Sequence, residues 1–157
     1  LNNNKFDIIN LTENVFEMLE FTAKKKKIKL TVNKDKGLLT KVIADKEKIE
    51  QVLTNLIDNS IKYGKDNGTT EIVIQSLNED KIIVRVTDNG VGFKKENYTR
   101  IFERFFRVDR SGSRSAGGSG LGLAIVKHII DAHDEKIYVE SEFSVGSEFS
   151  FTLEKSK

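Results

Sequence analysis

The chain has 157 residues, of which 38% are hydrophobic and 32% charged, ordinary for one globular domain able to bury its own core. With no cysteine it excludes disulfides, thiolate metal sites and cysteine nucleophiles, and a formal charge of +2 is too small to argue for nucleic acid as a partner. No apolar run approaches the roughly 18 residues that a membrane-crossing helix needs.

The chain opens on Leu1-Asn2-Asn3-Asn4-Lys5 rather than on Met, which reads as the middle of a connection, and we expect a piece of a longer protein. Phe6 to Ile9 is predicted as a short strand. Leu11 to Ala23 carries Leu11, Val15, Met18 and Leu19 at the spacing of an amphipathic helix. The basic run Lys24 to Lys27, with Lys29, follows that helix and suits the negative end of its dipole, so it reads as a solvated helix end. Ile28 to Val32 alternates as a strand with one buried face, and Leu38 to Ala44 is predicted as another.

The next element is a helix from Asp45 to Tyr63, with Ile49, Val52, Leu53, Leu56, Ile57 and Ile61 on its buried face. Asp45 is placed to cap it, and Gly64 to end it as a left-handed residue. Beside the apolar stripe, Asn55, Asn59 and Lys62 fall at i, i+4 and i+7 and form one row. Two mid-helix asparagines each cost up to ~0.7 kcal/mol against alanine. Taken alone, the row reads as a solvated polar edge.

Glu71 to Leu77 and Lys81 to Thr87, joined by Asn78-Glu79-Asp80, form an antiparallel hairpin with Ile82, Val84 and Val86 on one face. Asp88 to Gly118 is irregular apart from a short helical patch near Ile101 to Arg107. A segment of that length inside a domain, with that composition, reads as a functional lid. Leu121 to Ala132 is an apolar helix, followed by strands at Lys136 to Glu140 and Glu148 to Leu153. Hairpins with few amphipathic helices predict a two-layer α/β sandwich, its mixed, mostly antiparallel sheet packed on about three helices. His128 and His133 are five residues apart, the wrong spacing for paired zinc ligands on one helical face, and His128 reads as a packed or capping residue.

Four further segments bear on chemistry. Asp88-Asn89-Gly90-Val91-Gly92 follows a buried strand directly, so its carboxylate can accept from a base amine while its glycines let backbone approach a flat ring. On its own it is a common turn. Gly117-Gly118-Ser119-Gly120-Leu121-Gly122-Leu123 opens a helix, where free N–H groups make an anion site, or simply a flexible loop and a plain N-terminus. It spells neither the dinucleotide fingerprint nor a phosphate-binding loop ending in Gly-Lys-Ser/Thr. Phe102, Phe105 and Phe106 fit packing better than ligand contact, and Arg107 stands next to a Ser/Gly stretch that can swing it onto a phosphate. Val145 to Phe149 turns into the last strand.

In their order and spacing these segments resemble the ATP-binding catalytic domain of sensor histidine kinases, within the superfamily that includes gyrase, the heat-shock chaperone ATPases and MutL. Asn55 to Tyr63 is similar to that family's N box, Asp88 to Gly92 to its first glycine box, and Phe102 to Phe106 to its phenylalanine box. Gly118 to Leu123 is similar to the second glycine box and Gly146-Ser147 to the last. The likeness runs from about Phe6 to Leu153 and implies a Bergerat-type ATP-binding fold.

It further implies Mg²⁺ on Asn59, phosphates facing Asn55 and Lys62, and Tyr63 near the nucleotide. Asp88 would read the adenine amine, with Gly90 and Gly92 giving the ring room and Ser147 supporting the pocket. Ser119, Gly120, Leu121, Gly122 and Leu123 would lie at the phosphates, Arg107 would neutralise the γ-phosphate, and residues 94–118 would be the ATP lid. Catalytic roles fall to Asn55, Lys62 and Arg107. Hydrolysing members carry a glutamate where this chain has Asn55, and an amide is no base at neutral pH, which favours a kinase.

The implied function is donation of the ATP γ-phosphate to a histidine on a separate dimerisation domain of the same protein, a homodimer through that domain. A response regulator would receive the phosphate next. The implied location is a cytoplasmic domain of a parent protein that membrane anchoring would suit. The alternatives are a conformational ATPase of the gyrase or chaperone kind, a non-catalytic nucleotide-binding module, and a serine-directed kinase of the same superfamily.

Overall fold

A computed structural model describes residues 1–97, 100–103 and 122–156. In chain order these form β1 (Asn3–Asp7), α1 (Ile8–Lys25), β2 (Lys29–Lys34), β3 (Lys41–Asp45), α2 (Lys46–Lys62), β4 (Thr69–Ser76) and β5 (Lys81–Asp88). A 3-10 turn at Lys95–Asn97 precedes α3 (Gly122–Ala132), β6 (Ile137–Glu142) and β7 (Gly146–Lys155).

The strands make one sheet in the order β1-β3-β7-β5-β4-β2, with β6 pairing β7 off that path. All the pairings are antiparallel except β2 with β4. The predicted two-layer sandwich, a mixed, mostly antiparallel sheet packed on about three helices, is the observed fold, with three α-helices among the described residues. Alternation in the central strands explains the two layers: Ile72 and Ile74, Ile82, Val84 and Val86, and Phe149, Phe151 and Leu153 are all buried. Against them lie Ile49, Val52, Leu53, Leu56, Ile57 and Ile61 of α2, with Val15 of α1 and Val126 and Ile130 of α3. Across the sheet the opposite face is mostly polar beside the buried Ile83, with Arg85 Nε donating to Gln75 at 2.7 Å and Arg85 pairing with Glu148 at 3.7 Å.

Several boundaries differ from the sequence reading, each for a local reason. The first strand ends at Asp7 rather than Ile9, because the Asp7 carboxylate accepts from Ile9 N–H at 2.9 Å and from the Thr40 hydroxyl at 2.9 Å, which starts α1 early. The strand predicted from Leu38 begins at Lys41, and Leu39 is exposed. β2 is an edge strand, so Leu30 and Val32 are half-buried rather than fully covered.

Asp45 caps α2 as predicted, accepting from Lys48 N–H at 3.3 Å. Its carboxylate also accepts from Asn2 N–H at 3.1 Å, and that bond above all holds its pKa below the ordinary value. Gly64 does not end α2 in the left-handed region; Tyr63 closes the helix at φ −96° and ψ 3°. Gly64 is glycine for space instead, since a Cβ there would stand 2.8 Å from both Ile28 Cδ1 and Ser60 O.

The capping role expected of His128 falls to the other histidine. His128 is exposed on α3, whereas His133 does the capping. Its Nε2 accepts from Asp45 N–H at 3.1 Å, so the ring proton sits on Nδ1, which donates to Ile129 O at 2.8 Å. That neutral ring ties the end of α3 to the start of α2.

Candidate functional site

The ends of four elements meet at one edge of the sandwich. Strand register shows how. Behind the apolar rank Ile72, Val86, Phe149 and Val139 comes a polar one: Thr70 of β4 pairs Asp88 of β5, Asp88 pairs Ser147 of β7, and Ser147 pairs Ser141 of β6. Asp88 keeps the parity of Ile82, Val84 and Val86, so its carboxylate points to the helical side of the sheet.

The rank is stitched by hydroxyls. Ser60, buried on α2, is 2.6 Å from Thr70 Oγ1, and Ser141 Oγ is 2.7 Å from Ser147 Oγ. Burial pushes the Asp88 pKa up, against N–H groups of Gly90 and Ser147 and the Ser60 hydroxyl, which favour the charged form. The Gly90 bond measures 2.9 Å. A half-buried carboxylate with donors gathered around it costs stability when ionised, and it is equipped to accept one more hydrogen bond from a ligand.

A pH prediction follows from that direction. A raised carboxyl pKa contributes stability below the unfolded value, and the contribution is lost as pH rises through the folded value. Ligand binding through the carboxylate has the opposite sign: affinity falls as pH drops through the raised pKa, which begins above the ordinary aspartate range. Asp88→Asn flattens that part of an affinity profile measured by titration calorimetry from pH 7 downwards. An unchanged profile in Asp88→Asn refutes the assignment.

The predicted row on α2 lies alongside. Asn55 Nδ2 donates to Gly122 O at 3.4 Å, so this amide touches the first residue of α3. Lys62 Nζ is 3.0 Å from Asp58, both about a third exposed. The Asn59 side chain is half-buried and makes no hydrogen bond to another described residue, one turn from Asn55. At the start of α3, the N–H groups of Gly122 and Leu123 belong to the first turn, where a helix supplies no acceptor. The Leu123 side chain packs on the core.

The two glycines after Asp88 allow a close approach of backbone. A Cβ on Gly90 would lie 2.1 Å from Tyr63 O, and one on Gly92, at φ +61°, would lie 2.1 Å from Glu142 O. At the Cβ position of each stands protein backbone, which locks the Asp88 turn to the end of α2 and to β6. Tyr63 O accepts from Val91 N–H at 3.1 Å in the same contact. A Cβ on Gly146, at φ +151°, would likewise lie 2.1 Å from Asp88 O. Ser147 donates its backbone N–H to the Asp88 carboxylate, while its hydroxyl pairs with that of Ser141.

Phe102 packs edge-on to Phe149 with ring centroids 6.1 Å apart, as its spacing suggested. Arg107, Ser119, Gly120 and Leu121, with Phe105, Phe106 and most of the 94–118 segment, lie outside the described residues. The sequence reading missed Ser60, Thr70 and Ser141. Their signal was parity, since each stands where the buried alternation of its element next calls for an apolar residue.

Could these residues take a metal? Among the described residues no cluster of three or more His, Asp or Glu is arranged to hold one. The Asn59 amide offers a hard oxygen without a competing described partner, which fits Mg²⁺ held by few protein atoms and otherwise by phosphate and water.

A two-layer sandwich whose sheet edge ends in a polar rank, flanked by an asparagine row and a helix N-terminus, has the architecture of an ATP-binding catalytic domain. The family described as "Histidine kinase-, DNA gyrase B-, and HSP90-like ATPase" matches residues 44–157, and the chain belongs to it, on the branch of the sensor histidine kinase catalytic domains. Among curated relatives, the sensor histidine kinase WalK of Bacillus subtilis is 39% identical over 110 residues, 69% of this chain and 18% of WalK.

The catalytic domain of the histidine kinase ThkA superposes with a TM-score of 0.83 at 30% identity, covering 100% of both chains. ThkA solved in complex with the response regulator protein TrrA gives 0.77 at 28% identity, over 98% of this chain and 42% of that one. Full-length ShkA in complex with AMPPNP gives 0.86 at 28% identity, over 99% and 32%. The chain spans about a fifth to two fifths of the curated relatives it matches. Among the described residues no helix is long and apolar enough to cross a membrane.

Proposed function

We propose that residues 1–157 are the catalytic ATP-binding domain of a longer sensor kinase, which binds Mg·ATP and gives its γ-phosphate to a histidine on a separate dimerisation domain of the same protein. The parent pairs through that domain, passes the phosphate to a response regulator, and holds this domain in the cytoplasm, with the plasma membrane as its anchor. The observation that carries the reading is the polar rank Thr70-Asp88-Ser147-Ser141, joined to α2 through Ser60 and flanked by the Asn55, Asn59 and Lys62 row of that helix. The likenesses to ThkA with its regulator and to ShkA with AMPPNP support it.

In this reading the Asp88 carboxylate accepts from the adenine amino group. Asn59 would give its amide oxygen to Mg²⁺, which when bound would supply positive charge against the triphosphate. Lys62, exchanging Asp58 for phosphate, adds a point charge, with Tyr63 beside the nucleotide. The first-turn N–H groups of Gly122 and Leu123 face the phosphates, continuing a run that includes Ser119, Gly120 and Leu121. Arg107, on the 94–118 lid, meets the γ-phosphate. Asn55, an amide already donating to Gly122 O, has no basicity to activate water, so the triphosphate is kept for transfer.

The test joins calorimetry to labelling. The purified chain binds ATP with Mg²⁺ and far more weakly with a chelator, retains no acid-labile label from γ-labelled ATP, and labels an added dimerisation domain of its parent. Stable self-labelling would contradict the proposal, and rapid steady-state turnover would favour a conformational ATPase instead.

A further inference from the structure

The turn between α1 and β2 carries one lysine into the loop that follows α2. Lys26 Nζ donates to Ile61 O at 3.1 Å, to Lys62 O, and to Gly64 O at 3.3 Å. Its own carbonyl accepts from Asn67 N–H at 2.8 Å, so the loop wraps around it. An ammonium has three donor hydrogens, and here three carbonyls converge on it. They lie at the end of a helix, where carbonyls lack intrahelical partners and the dipole is negative.

The neighbouring lysines differ. Lys24 is exposed and pairs with Glu20 at 3.2 Å, Lys25 lies 4.8 Å from the Phe21 ring centre, and Lys27 is exposed. Lys26 is the one turned inward, so the basic run is not wholly the solvated helix end that its composition suggested. From Lys26 the contacts run on without a gap. Tyr63 O, between two of its acceptors, takes Val91 N–H at 3.1 Å; Gly90 presses on the same oxygen; and Gly90 N–H binds Asp88.

We propose that Lys26 is a positioning residue for the nucleotide: its ammonium gathers the last carbonyls of α2 and so sets Lys62 and Tyr63 against the Asp88–Gly92 turn. The proposal rests on the reading of this site as the Mg·ATP site. It also gives α1, the helix nearest the start of the chain, a mechanical connection to the base end of the pocket.

The test compares K26M, K26R and K24M with V15A, which creates a cavity in the α1 core far from the turn. At a temperature well below every melting point, K26M lowers Mg·ATP affinity by about tenfold. It also speeds amide exchange at Gly64 and Val91. K26R recovers part of both, and K24M changes neither. V15A lowers the melting temperature yet binds Mg·ATP like the unchanged chain, which separates positioning from mere stability. Should K26M fail to fold, K26Q carries the same expectation, because one amide cannot serve three carbonyls. Affinity in K26M or K26Q equal to that of the unchanged chain overturns the proposal alone. Absence of Mg·ATP binding by the unchanged chain overturns the nucleotide reading, and this one with it.

Discussion

Replacing Asn59 by alanine lowers Mg²⁺-dependent ATP affinity by about 100-fold, the ~3 kcal/mol that a contact to a charged partner is worth at its upper end. The same change leaves the fold intact or slightly firmer. Alanine exceeds asparagine in helix propensity by up to ~0.7 kcal/mol, and the Asn59 amide has no described hydrogen-bond partner to lose. Affinity and stability therefore move in opposite directions, which separates loss of a ligand atom from damage to the helix. Titration calorimetry with Mg²⁺ and with a chelator, beside a thermal melt, reads both. With the chelator the two chains bind alike. If Asn59→Ala keeps the Mg²⁺-dependent affinity, the amide is a solvated helix edge and the assignment of the row fails.

Gly90→Ala destabilises the domain by about 3 kcal/mol or more, at or beyond the upper end for overpacking. The new methyl would stand 2.1 Å from Tyr63 O and 2.8 Å from Gly64 Cα, and both neighbours are backbone that no rotamer change can move aside. Opening that contact also breaks the 3.1 Å bond from Val91 N–H to Tyr63 O. Gly122→Ala is the control, because among the described residues a Cβ there meets nothing nearer than Asn55 at 3.9 Å. At the first position of α3 it leaves stability unchanged or slightly raised. Denaturant midpoints with a common slope decide the matter. Equal midpoints for Gly90→Ala and the unchanged chain would falsify the close-packed turn.

The two glycines look alike in sequence, each inside a short glycine-rich motif, and their physical duties are unrelated. Spacing shows that backbone must come close to something; it does not show what. The same limit applies to Lys26. A run of four lysines after a helix has one reading from local electrostatics, and the three carbonyls that single out Lys26 come from residues 35 to 38 positions away. His133 reaches Asp45 across 88 positions, so the choice between the two histidines was closed to local reasoning as well.

What the sequence by itself determined is whatever depends on periodicity and order along the chain: the helix faces, the hairpin, the two-layer class, the asparagine row and the carboxylate at a strand end. Burial of an alternating or 3.6-residue pattern is a local property and survives any arrangement of the neighbours. Only the tertiary structure decided the register that lines Thr70, Asp88, Ser147 and Ser141 into one rank, and the partners of Gly90, Lys26 and His133. Those contacts join residues far apart in the chain, and their energies exist only after the strands have paired and the helices have docked on them.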